Sequence, residues 1–523
     1  MKKLLTLGLA VPMAVLMACS SDDHSSTAPE DDDQISSSSF TEEDLDKLLG
    51  NSSSSAKVTS SSSEKLSSGD KPTSSSSGKS SSSVKDESSS STIVVESCDD
   101  VLDETGKMAL DLVHSKSAKL FEMFADGDME AAKALAKEVK PMYKKILDKY
   151  PGACGAQVGY AFATVGDLGN NENLKIIWDD YYGSFRHGVN DVGEFVDIVT
   201  KLSKGKKSFT QRVQFALTDE VLPALDSSIV YLQNVLENED YALQLNDAGT
   251  MRELDKSEFG LALGGLFAAK AAVAIATSMN LEMAYNGSYS WMNNVEDLRL
   301  NDEKMSKSQT EAVKALVSLL GAKGTFTTVI KGKETLWKSV PALIDSAITE
   351  SRGSFQYSID ESKVEGSQEF DLYVVGDGYD ADLSVDEVQD MIDALDTALK
   401  VVRGPYEVEI RGTKLVFDAR KYFENTDGIE AFLPYYVFED ESDFSTFYFT
   451  DAKGKKTKSL LDFVDGDLSV LDDGDGVIVF KDPTFGGVFP NFKKQSDVWE
   501  FLNAISEEEE EDDWDYGPIP LED

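Results

Sequence analysis

Histidine is almost missing from this chain. His24, His114 and His187 are the only three among 523 residues, which excludes a histidine-rich zinc or iron site by count and leaves little for a Ser-His-Asp arrangement. Cysteine is equally scarce, at Cys19, Cys98 and Cys154, and a cysteine nucleophile would find hardly any histidine to activate it. Basic charge is the third deficit. Fifty lysines and arginines stand against 95 acids, a net charge of -45, so a phosphate backbone is repelled and nucleic acid is excluded as a partner. Nor does the chain carry a G-x-S-x-G elbow, an H-E-x-x-H pair, a P-loop or a dinucleotide glycine fingerprint in a suitable context. A glycosidase needs two carboxylates flanking a cleft, and no spacing singles out such a pair among 95 acids.

What is present begins at the N-terminus. Lys2 and Lys3 precede an apolar stretch from Leu4 to Met17, of signal-peptide length and short for a membrane span. Leu16-Met17-Ala18-Cys19 then resembles the lipobox of bacterial lipoproteins, with Met17 in place of the commoner small residue. The resemblance implies cleavage after residue 18 and lipidation of Cys19. Ser20 is similar to the residue that lets such proteins leave the inner membrane. Ser20-Ser21-Asp22-Asp23 resembles the acidic tethers of surface-displayed lipoproteins. An outer-membrane protein held by acyl chains is the expectation, on the periplasmic or the cell-surface face, because so acidic a chain has no basic patch to hold it.

If Cys19 carries lipid, Cys98 and Cys154 remain in a compartment where disulfides persist. They form either one bridge at the start of the folded region or two buried free thiols.

Serine blocks dominate residues 19–95 and bury too little apolar surface to offset ordering entropy, so a disordered linker is expected there. Roughly 70 such residues give a root-mean-square reach of about 45 Å. Similar polyserine spacers occur in surface proteins of fibre-degrading bacteria. Inside the linker, Phe40 to Leu49 has the pattern of a short amphipathic helix, marginal if isolated.

Residues 96–352 read as a helical domain. Met108–Phe124, Met129–Lys149, Ala156–Val165, Val192–Leu202, Asp219–Leu236, Glu258–Met279, Glu311–Leu320 and Leu336–Glu350 are the predicted helices. Ala134, Met142, Tyr143 and Ile146, leading into Asp148-Lys149-Tyr150-Pro151 and then Gly159-Tyr160-Ala161, resemble a tetratricopeptide unit. There small residues let antiparallel helices approach while large ones fill the gaps. Pro141 departs from that pattern and predicts a kink or an early start. The run Glu258–Met279 is very apolar, but Glu258, Lys270 and the alanine and glycine density favour a central buried helix over a membrane span.

Residues 353–505 read as a mixed α+β part. Strands are predicted at Phe355–Ile359, Phe370–Val375, Tyr435–Phe438, Thr446–Thr450 and Val477–Phe480, with a hairpin of Tyr406–Arg411 and Lys414–Asp418. A helix is predicted from Val385 to Val402 behind the cap Ser384, and another over Val498–Ile505. Residues 506–523 form an acidic tail expected to be disordered. The fold class is therefore mainly α, as a helical-repeat-like body or an irregular helical bundle with a smaller α+β C-terminal part.

Two features suggest ligands. Trp178, with Tyr181, Tyr182 and Phe185 nearby, and the group Tyr285, Tyr289 and Trp291 offer aromatic faces beside amides and acids, suited to stacking on sugars or to core packing. Asp377, Asp380, Asp382 and Asp386, and separately Asp465, Asp467, Asp472, Asp473 and Asp475, mix with glycine in turns that admit calcium, though without EF-hand order; no other cofactor is expected. The combined expectation is a non-enzymatic binding or scaffold lipoprotein with a protein or ligand partner at the cell envelope. The alternative is a cell-surface glycan-binding or glycan-degrading protein.

Overall fold

The computed structural model describes residues 40–50 and, with interruptions, 98–501, the widest interruption being 459–475. The signal stretch, Cys19, the serine blocks, Asp465, Asp467, Asp473, Asp475 and the acidic tail lie outside the described residues. The rest is mainly helical. Thirteen α-helices and four two-stranded antiparallel pairs occur among the described residues.

Helix α1 (Glu42–Leu49) belongs to the linker sequence, and α2 (Glu104–Asp126), α3 (Met129–Lys149) and α4 (Cys154–Asp167) open the body. Pro141 sits inside α3 and removes a backbone donor, yet the helix runs on through it. Burial outweighs that loss: Val139, Met142, Tyr143 and Ile146 are all essentially inaccessible. Tyr143 ties three helices together. Its hydroxyl hydrogen bonds Ser117 of α2, and its ring lies where a Cβ on Gly159 of α4 would be, 2.1 Å away. This is the close approach of small and large residues that the repeat-like pattern predicted.

Next come α5 (Glu172–Phe185), α6 (Val192–Leu202), α7 (Phe209–Ala216) and α8 (Leu222–Leu236). Ser228 of α8 donates to the Ala161 carbonyl of α4 at 3.0 Å, joining the opening helices to the centre. The hairpin β1 (Leu243–Asp247) and β2 (Thr250–Leu254) precedes α9 (Lys256–Ser278). Asp255 caps α9 and exchanges backbone and side-chain bonds with Glu258 in a capping box. By length and composition α9 is able to cross a membrane, but 72% of its most apolar window is buried in protein, as a central helix requires. Its main neighbour is α11 (Glu334–Glu361), which follows α10 (Lys307–Leu320). Gly260 and Gly264 face Ser354, Ser351 and Ala347 there. A Cβ on Gly264 would stand 2.8 Å from the Ala347 carbonyl, so glycine sets the interhelical distance.

The predicted strand Phe355–Ile359 is corrected: these residues lie within α11, which continues unbroken to Glu361. Ser354, Ser358 and Ile359 are buried at helical spacing against α9 and the chain that follows, and this burial outweighs the local alternation. Of the predicted strand Phe370–Val375, Phe370 lies outside the described residues, and 371–375 form no strand, since Asp371 and Val375 make only single bridges, to Glu253 and Leu383. Helix α12 (Val385–Arg403) starts at Ser384 in a capping box with Glu387. Two bidentate pairs fasten it to α11, Arg352–Asp396 and Arg403–Asp345.

The hairpin β3 (Tyr406–Ile410) and β4 (Thr413–Phe417) stands where predicted, followed by α13 (Ala419–Glu424). β5 (Pro434–Phe438) pairs with β8 (Gly476–Phe480), and β6 (Tyr448–Thr450) with β7 (Lys456–Lys458). Phe485 and Phe489 pack against Leu415, Phe492 and Val498 in a small separate core.

Candidate functional site

The aromatic residues singled out in the sequence go mostly into packing. Tyr289 and Trp291 are 5% and 6% exposed. The Tyr289 hydroxyl donates to Glu282 at 2.9 Å, and Trp291 Nε1 donates to the Met283 carbonyl at 2.9 Å. Trp291 packs against Ala312, Ala315 and Leu316 of α10, with Tyr285 half-buried beside it. Tyr289 and Trp291 are thus interior, their loop sitting between α6 and α10, while Tyr285 is only half-buried. Trp178 is half-buried on α5, stacked on Tyr182, while Tyr181 next to it stays 44% exposed.

Cys98 and Cys154 form a disulfide with their Cα atoms 5.2 Å apart. His114 is buried beside it, its Nε2 3.2 Å from the Gly155 carbonyl. Burial pushes this imidazole down to about 4, against a weaker opposing effect of the Gly155 bond, so it is neutral and structural at pH 7. Asp382 accepts from the Val374 amide at 3.1 Å and Asp386 lies in the first turn of α12. Among the described residues no group of three His, Cys, Asp or Glu is placed to hold a metal ion.

Two features that the sequence did not disclose meet at the N-terminus of α9. One is a cluster of buried carboxylates. Glu258 is 1% exposed; its Oε2 accepts the Asp255 amide at 3.0 Å, while Oε1 has no hydrogen-bond partner. Asp371, 6% exposed, is brought alongside by its bridge to Glu253, and Glu361 reaches in from the end of α11. Asp371 Oδ1 and Glu361 Oε2 are also unpartnered. Burial, then the charge of Asp255, holds Glu258 well above the carboxylate range. The same two causes push Glu361 up to about 8 and Asp371 up to about 7. The cluster therefore holds protons near neutrality, which like charges in a poorly hydrated site require.

This arrangement makes stability depend on pH. In the unfolded chain the three acids ionise near pH 4, whereas in the folded protein Glu361 keeps its proton until about 8 and Asp371 until about 7, and Glu258 is held well above its usual range. Their stabilising contribution is complete below the unfolded values and is lost as pH rises through the folded ones. His114 acts oppositely: its contribution is complete above 6.5 and is lost as pH falls toward 4. Above pH 6.5 only the carboxylates act, so the melting temperature is expected to fall between pH 6.5 and 8.5. Glu361 is half-buried, so solvent screening limits its own share of that change to about 1 kcal/mol. Glu361→Gln should flatten the slope in a pH series of thermal melts, and an unchanged slope would refute the assignment.

The second feature is a cleft of about 350 Å³ between α8, α9 and α11. Gln233 of α8 and Glu237 at its C-terminal cap, Lys256 of α9, and Glu350 and Ser354 of α11 give it polar walls, with Leu236 and Leu263 as apolar floor. Burial raises Glu350, and the positive charge of Lys256 partly offsets this. Lys256 adjoins Asp255, so the cleft borders the carboxylate cluster; its ammonium lies 6.0 Å from the Tyr357 ring centroid. Gly353 opens one wall, where an added Cβ meets nothing within 4 Å. These groups donate, accept and offer both signs of charge, which is equipment for holding a polar ligand. The acids here were lost among 95 in the sequence because residues 253–258, 350, 361 and 371 converge only when α9 lies on α11.

Compared with models of known families, with curated proteins and with solved structures, the chain matches none.

Proposed function

We propose that this chain is a lipid-anchored protein of the bacterial outer membrane that works by binding, its helical body recognising a protein partner or a small ligand at the cell envelope. The observation that carries the reading is the cleft between α8, α9 and α11, with Lys256 and Glu350 on its walls over an apolar floor. Its volume, about 350 Å³, suits a small polar ligand or one side chain inserted by a partner. The anchor is proposed at Cys19 from the lipobox-like Leu16-Met17-Ala18-Cys19.

A second reading, glycan binding at the cell surface, is favoured by Trp178 and the 44% exposed Tyr181 on α5, whose ring centroids are 5.9 Å apart. One experiment separates the two. Whole protein is released from membranes with detergent, tested for partner capture and for retardation in plant polysaccharide gels, and compared with Gly353→Leu and Trp178→Ala. Capture of one defined partner, lost in Gly353→Leu at unchanged melting temperature, supports the first reading. Retardation lost in Trp178→Ala supports the second, and capture indifferent to Gly353→Leu refutes the assignment to the cleft. Cys19→Ala should move the protein from the membrane to the soluble fraction, and persistent membrane attachment would refute the anchor.

A further inference from the structure

Helix α1 stands out because of where its sequence lies. Eight residues are too few to hold a helix in water, and this one is embedded in serine-rich sequence. It is nevertheless fully built. Asp44 accepts from the Thr41 amide at 3.1 Å and from the Thr41 hydroxyl at 2.8 Å, and Gly50, with φ of 75°, ends it.

The cause is the surface beneath it. Leu45 is completely buried, and Phe40, Leu48 and Leu49 pack against the main core, with α1 lying on α2 and α3. Charge matches around this apolar contact. Lys145 of α3 pairs with Glu42 at 2.8 Å and with Asp46 at 2.7 Å. At the entry, Lys116 of α2 donates to the Phe40 carbonyl at 2.9 Å; at the exit, Lys149 of α3 donates to the Leu49 carbonyl at 3.2 Å. The segment carries Glu42, Glu43, Asp44 and Asp46 against the single Lys47, and three lysines of the body meet it.

We infer that the outer face of α2 and α3 is a receptor site for a short acidic amphipathic helix, and that residues 40–50 of the same chain are its occupant. This is helix-in-groove recognition, with Leu45 as the anchor and Lys116, Lys145 and Lys149 fixing register. Residues 51–97 join occupant to body, a 47-residue connection that makes the docking intramolecular. The docked segment divides the spacer. With α1 seated, 20 residues (20–39) separate Cys19 from the body; with α1 released, 78 residues (20–97) do. That change of tether rests on the Cys19 anchor proposed above, whereas the docking does not. Ion pairs at a surface are screened by salt, so release is favoured at high ionic strength.

Amide hydrogen exchange on the full soluble chain carrying Cys19→Ala tests the docking, and α2 and α3 report in the same spectra whether the body stays folded. Amides of residues 45–49 should be protected, and Leu45→Asp should lower that protection about tenfold or more while α2 and α3 keep theirs. Lys145→Glu should weaken it, and Glu42→Lys with Asp46→Lys should restore it. Should Leu45→Asp also loosen the body, deletion of residues 38–50 provides a second route: a peptide of that sequence must bind the deleted protein, and its Leu45→Asp form must not. Residues 45–49 exchanging as fast as the serine blocks would overturn the inference. Protection that falls on dilution would place the helix on a second copy and overturn the in-chain assignment.

Discussion

Replacing Gly159 by alanine is expected to lower the stability of the body by about 3 kcal/mol. The added methyl would stand 2.1 to 2.5 Å from three atoms of the Tyr143 ring. Tyr143 has nowhere to go: it is completely buried, its hydroxyl is bonded to Ser117 of α2, and His114 lies beside it with ring centroids 5.7 Å apart. Relief must come from separating α3 and α4 or from tilting the ring, which breaks the buried bond to Ser117 and leaves a polar atom unsatisfied. Urea denaturation should show a lower midpoint with an unchanged slope. Gly353→Ala is the matching control, because there the new methyl meets open space and a helix gains from alanine over glycine. Equal midpoints for the two variants would mean that α3 and α4 are not packed as described.

Removing the Cys98–Cys154 disulfide is expected to cost about 4 kcal/mol, the loop-closure entropy of a 56-residue separation. The bond also holds a local network. Asp99, next to Cys98, accepts from the Gly155 amide at 3.2 Å and from the Tyr241 hydroxyl at 3.2 Å. The first turn of the body is thereby tied to the start of α4 and to the approach to β1. Guanidinium unfolding of oxidised protein, of reduced protein and of Cys154→Ala should give one midpoint for the oxidised form and a common, lower one for the other two. Coincident midpoints for all three would refute the prediction.

Much of the architecture was legible because its causes are local. Val192–Leu202 was bounded correctly by apolar spacing, and the structure adds Asp191 as its cap. Ser384 announced α12, and the hairpin of β3 and β4 followed from two alternating runs around a glycine. Helix α9 was read as buried because it is apolar on every side, interrupted by Glu258 and Lys270. Lys270 emerges to pair with Asp226 of α8 at 2.6 Å, whereas Glu258 is kept inside as a cap.

The misreadings share one physical origin. Phe355–Ile359 alternates like a strand, but Ser354 donates to the Ser257 carbonyl of α9, 97 residues earlier, and that contact keeps the segment helical. The hairpin of β1 and β2 was overlooked within a helical stretch because each strand has only five residues, and Leu243, Leu245 and Leu254 become core only when they face the helices. The loop bearing Tyr289 and Trp291 has a composition suited to a ligand, and the placement of α6 and α10 around it makes the rings interior.

Helix periods, caps, the acidic balance, the scarcity of histidine and the lipobox-like run followed from residues within a few positions of one another, and chain composition sufficed to read them. Only the tertiary structure decided that α1 has a seat, that five acids gather where α9 begins, and that a cleft opens beside them. Those features depend on residues between about 10 and 120 positions apart, as in Glu253 beside Asp371 and Phe40 beside Lys116. Their energy exists only after the helices have packed, and short-range patterning carries no trace of it.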